Sequence, residues 1–78
     1  MTRKRTLIRV GQRLINWDGS RGYVALNSHG VSVHGPGESF MVEWLDADGS
    51  VEDAAYYTIE TLEAEGITYA RGIMPWAR

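Results

Sequence analysis

Trp17-Asp18-Gly19-Ser20-Arg21-Gly22-Tyr23-Val24 is the stretch that decides the fold. It sets a tight polar turn between two apolar runs, Leu7 to Ile15 before it and Tyr23 to Leu26 after it. Asp-Gly is a strong turn signal because glycine reaches positive φ without a steric penalty. Gly22 marks a second special backbone position where the next strand begins. The pattern predicts a hairpin, and the rest of the chain is read outward from it.

Upstream, Leu7, Ile8, Val10, Leu14 and Ile15 form a β-rich run broken by Gly11, which predicts a kink into a first strand near 13–17. Downstream, Val24 and Leu26 are expected to point inward, with Tyr23, Ala25 and Asn27 on the other face. Asn27-Ser28-His29-Gly30 reads as a bend, after which Val31-Ser32-Val33-His34 alternates as a strand. Gly35-Pro36-Gly37 is a firm turn. Phe40 to Leu45 is the strongest strand, with Val42 and Trp44 as its core residues. Asp46-Ala47-Asp48-Gly49-Ser50 predicts a second hairpin turn, followed by a strand over Val51 to Thr58 with Val51, Ala55 and Tyr57 largely inward.

The period then changes. Thr58 is a candidate cap for one helical turn carrying Ile59 and Leu62, and Gly66 is placed to end it. Ile67 to Ala70 is the expected closing strand. The tail Arg71 to Arg78 either packs back on the domain or contacts a partner, and burial of Met74 and Trp76 favours packing back. There is no internal repeat, linker or low-complexity tract. Short strands about ten residues apart with Gly-rich turns predict an all-β domain, and at this length a small five-stranded barrel. The expected layout is a flexible basic arm (1–6), the barrel (7–70) and the tail (71–78).

Composition narrows the functional classes. A chain of 78 residues buries only about 60 to 65% of its unfolded surface, so the core is thin. With no cysteine, disulfides and thiolate metal sites are excluded. No apolar run approaches the ~20 residues that cross a bilayer, and no apolar h-region follows the basic start, so a cytoplasmic location without membrane contact is expected. The net charge of −2 conceals an asymmetry. Arg3, Lys4, Arg5, Arg9, Arg13 and Arg21 crowd the first 21 positions, whereas residues 22–70 carry nine carboxylates and no lysine or arginine. Such a chain can attract a polyanion at one pole and repel it at the other, unless neighbouring strands simply pair the opposite charges.

Val10-Gly11-Gln12-Arg13-Leu14 followed by Asp18-Gly19-Ser20-Arg21-Gly22-Tyr23-Val24 is similar to the KOW pattern. That pattern is a glycine-led strand, a polar loop, then Gly-x-Val opening a second strand. Val42-Glu43-Trp44, the Asp48-Gly49-Ser50 turn and a strand leading to Ile59 and Leu62 resemble the remainder of an SH3-like barrel of the KOW or Tudor type. The resemblance spans about residues 8–70. It implies a five-stranded SH3-like barrel with a 3₁₀ or helical turn before the last strand. It also implies a non-enzymatic binding module whose contacts run through the loop at residues 17–22. Two features depart from the KOW pattern: the second half is acidic, and the 27–39 connection is long.

The leading site set is Arg3, Lys4, Arg5, Arg9, Arg13, Trp17, Arg21 and Tyr23. Cations neutralise phosphates and exposed aromatics stack on unpaired bases, so single-stranded nucleic acid or a nucleic-acid-handling protein is the expected partner. Weighed against this is a plain charged tail with Trp17 half-buried in the core. The alternative is a protein-interaction module, of the kind used as small phage or mobile-element inhibitors. It would act through Glu43, Asp46, Asp48, Glu52, Asp53, Glu60, Glu63 and Glu65, or through Met74 and Trp76, although such charges also serve solubility alone.

Weaker readings are an aromatic cage from Trp17, Tyr23, Phe40, Tyr56 and Tyr57, and a metal site at His29, His34 and Glu38. No cofactor, metal or small-molecule substrate is expected. Ser20, Ser28 and Ser32 have no evident base, so no catalysis is expected either.

Overall fold

The structure is a computed structural model that describes residues 6–26 and 33–77. Arg3, Lys4, Arg5, most of the expected arm, the 27–30 bend and His29 lie outside the described residues. The chain forms β1 (Ile8–Arg9), β2 (Gln12–Ile15), β3 (Arg21–Val24), β4 (Val33–His34), β5 (Phe40–Leu45) and β6 (Val51–Tyr57). Helix α1 (Ile59–Ala64), β7 (Thr68–Ile73) and a 3₁₀ turn at Pro75–Ala77 follow. The protein is all-β in character. No described helix is long and apolar enough to cross a membrane.

The five-stranded closed barrel expected from the sequence is not what forms. Among the described residues there are seven strands, in an open antiparallel sheet of order β6-β5-β3-β2-β7 and a two-stranded β1–β4 ribbon. Closure is unnecessary because other elements cover the apolar face. Leu14, Val24, Phe40, Val42 and Trp44 of the sheet share one buried cluster with Ile8 of the ribbon, Ile59 and Leu62 of α1, and Ile67. Burying aliphatic side chains of this size stabilises by about 1.5–3 kcal/mol each.

Both Asp-Gly sites form hairpin turns of one design. The Gly19 amide donates to the Asn16 carbonyl and the Gly49 amide to the Asp46 carbonyl, with φ of 90° and 86° at the two glycines. This is a type I turn closed by a left-handed residue. Asp18 Oδ1 accepts from the Ser20 amide, and Asp46 Oδ1 accepts from those of Asp48 and Ser50, so short carboxylates satisfy the loop backbone. Gly22 has a different reason for being glycine. It lies opposite Trp44 in the β3–β5 register, and a Cβ there would meet Trp44 Cε3 at 2.6 Å.

Several sequence expectations need correction. Leu26 is 64% exposed rather than inward, because regular pairing ends at Val24 and the Ala25 amide then bonds the Met41 carbonyl. Val51 is also exposed: a bulge at Trp44/Leu45 places it opposite Leu45 instead of on the core side. The single helical turn is a six-residue helix, closed at its start by a reciprocal cap. The Thr61 amide donates to Thr58 Oγ1 and the Thr58 amide to Thr61 Oγ1. Gly66, at φ 75°, ends it. The last strand runs to Ile73 rather than Ala70, so it takes in the start of the expected tail.

Candidate binding face on the β2–β3 hairpin

β-Pleat and register place Arg13, Arg21 and Tyr23 on one face of the sheet, the one turned away from the core. Arg13 stands opposite Tyr23, which stands opposite Glu43, while Ile15, Arg21 and Leu45 form the next row. Both arginines are exposed, and neither makes an ion pair among the described residues. They line one small pocket of about 120 Å³ with Leu14, Ile15, Leu45, Ala70 and Met74. Two arginines therefore border a pocket whose other walls are largely apolar, a setting that suits an anion next to an apolar group.

The tail completes this face. The Met74 amide donates to the Gly11 carbonyl at 2.8 Å, and a Cβ at Gly11 would collide with that of Ala77. Gly11 itself sits at φ 88°. This close approach carries Trp76 onto Tyr23, with ring centroids 5.4 Å apart and planes at 71°. Tyr23 is thereby buried, and its hydroxyl donates to Glu43 Oε1 at 2.9 Å. Burial first, then the hydrogen bond to Glu43 and its negative charge, raise the phenol pKa above 10.0. Trp76, not Tyr23, is the half-exposed ring of this face, at 47%.

The remaining expected residues are dispersed. Trp17 is 78% exposed at the hairpin tip, near Gly66. Arg9 lies on the separate ribbon. The hairpin loop itself borders an open cleft of about 580 Å³ between the two turns, lined by Asp18, Asp46 and Glu52 as well as Arg21. Hydrogen bonds from the Ser20 side chain and backbone hold the Asp18 carboxyl below 3.8, so it is anionic at neutral pH. Three carboxylates make this cleft a poor phosphate site, and the phosphate-compatible side of Arg21 is the one it shares with Arg13.

Of the acidic set, Glu43 is engaged by Tyr23 and Asp46 by its turn. Asp48 is at the turn tip, Glu52 and Asp53 are on β6, and Glu60, Glu63 and Glu65 lie on or beside α1, all exposed. The five aromatics of the possible cage do not converge. Phe40 is in the core, Tyr57 accepts from the Trp44 indole, and Tyr56 is 74% exposed on β6. His34 is buried against Phe40, with its Nδ1 3.7 Å from Glu38. No cluster of three or more potential metal ligands occurs among the described residues. Sequence reasoning missed that Met74 and Trp76 would join the arginines. The signal was Gly11, whose absent side chain makes room for the tail.

No protein-family model, curated protein or solved structure matches this chain.

Proposed function

We propose that the chain is a non-enzymatic binding module of the SH3-like, KOW- or Tudor-related type, an accessory in nucleic-acid handling that contacts single strands through the β2–β3 face. The order of elements supports the family reading: a β2-β3-β5-β6 meander, a short helix, then a last strand pairing back on β2. The observation that carries the binding reading is the pair Arg13 and Arg21, without ion-pair partners among the described residues, at one apolar pocket. Trp76 supplies the exposed ring of this face, where Tyr23 was expected, and Trp17 offers a second exposed ring at the hairpin tip.

Anisotropy of a fluorescent single-stranded oligonucleotide against salt tests this. Neutralising two phosphate contacts in an Arg13→Ala/Arg21→Ala variant lowers the slope of log K against log salt by about 1.4, since each contact on a single strand contributes roughly 0.7. Absence of binding at low salt, or an unchanged slope in the variant, refutes the reading.

A further inference from the structure

A second surface, independent of the arginine face, lies at the sheet edge. β6 ends the sheet, and among the described residues no strand pairs with its outer side. The direction of its backbone groups follows from its neighbour. The Ala25 amide bonds the Met41 carbonyl, so Met41 and Glu43 turn their polar groups toward β3, and Phe40, Val42 and Trp44 turn theirs toward β6. Their partners Tyr57, Ala55 and Asp53 therefore use their backbone groups inside the sheet. Ala54 and Tyr56 present theirs outward. The Ala54 amide indeed donates to the side chain of Asp53, at 2.9 Å, rather than to β5.

β6 is seven residues long and lacks proline and glycine. Val51, Glu52, Asp53, Ala54 and Tyr56 are all exposed. The opposite edge strand, β7, is interrupted by Gly72 at φ 90° and carries Arg71. Charge decides what can pair with β6. Glu52 and Asp53 lie on it, Asp46 and Asp48 precede it and Glu60, Glu63 and Glu65 follow it, with no cation in that part of the chain. A second copy would bring the same carboxylates together, at a cost. An extended segment rich in lysine or arginine meets the opposite charge.

We infer that the Ala54–Tyr56 edge of β6 accepts an extended, basic peptide segment of a partner protein as an added antiparallel strand. The backbone of Ala54 and Tyr56 supplies the ladder, the neighbouring carboxylates select for cationic side chains, and Asp53 holds the Ala54 amide until the strand arrives.

The test uses the full chain and a labelled ten-residue peptide alternating valine and lysine, with a valine–glutamate peptide as control. Binding of the lysine peptide alone, with slowed hydrogen exchange at the Ala54 and Tyr56 amides, is the expected result. Ala54→Pro removes an amide that takes no part in the β5–β6 ladder and is held only by the Asp53 side chain, and it weakens binding about tenfold or more. Should that variant unfold, the exchange pattern of the unaltered chain still decides. No binding, binding without protection at both amides, or equal binding of the glutamate peptide overturns the inference. So does a dimer of the unaltered chain whose Ala54 and Tyr56 amides are already protected without peptide.

Discussion

The indole of Trp76 stands edge-on to the phenol of Tyr23, joining the last turn of the chain to the middle of its sheet. The contact explains why a tyrosine on the face turned away from the core is buried. Trp76→Ala is expected to destabilise the fold by about 1–2 kcal/mol, an aromatic pair plus part of its buried area. Denaturant unfolding at neutral pH measures it, and an unchanged midpoint would show the tail to be energetically idle.

Tyr23 also gives the molecule a titration signature. Its folded pKa lies above the ordinary 10.0 through burial and Glu43, so the associated stability is complete below pH 10.0. That stability is lost as pH rises through the folded value. Phenolate absorbance should show a late-ionising step that belongs to Tyr23. Glu43→Gln removes the charge, and the late step then moves toward lower pH without vanishing, since burial persists.

Gly22 is a packing position. Gly22→Ala drives a methyl into the Trp44 ring and against the Glu43 carbonyl, at 2.6 and 2.7 Å. The expected cost is about 1–3 kcal/mol, the usual range for an overfilled core. A thermal melt as stable as the parent would mean that Trp44 can slide aside freely.

The cap of α1 is separable from its packing. Thr58→Ala removes the acceptor for the Thr61 amide and should cost about 1 kcal/mol, while Leu62→Ala, fully buried in the core, should cost about 2–5 kcal/mol. Urea titrations of the two variants check the ordering. If Thr58→Ala proves the more damaging, the helix rests on its terminus rather than on its apolar face.

Local chemistry made much of this fold legible. Asp18-Gly19 and Asp48-Gly49 identify their turns, alternation in Phe40 to Leu45 identifies its inner face, and Thr58 with Gly66 bounds the helix. What escaped was set by distant partners. Val51 turns outward because of a bulge that no local pattern encodes, and Leu26 because its strand stops two residues earlier. The shared Asx-x-Asp-Gly-Ser design of the two turns was present in the letters, but only their matching hydrogen bonds make it recognisable. At the candidate site, the placing of Arg13 and Arg21 on one face follows from hairpin register. Burial of Met74 and Trp76 already favours a packed tail, but the place where it docks depends on Gly11 and could not be read from spacing.

The pairing of β2 with β7 has a kinetic meaning. β2, β3, β5 and β6 can assemble as a meander of successive neighbours, but Leu14 must find Tyr69 across more than half the chain. Closing so long a loop is entropically costly before its contacts form, and such pairings slow folding. The arginine pocket, which needs Ala70 and Met74 as well as the hairpin, therefore matures only when this last strand docks. A nascent chain would carry its cations in place well before it owned a finished binding face.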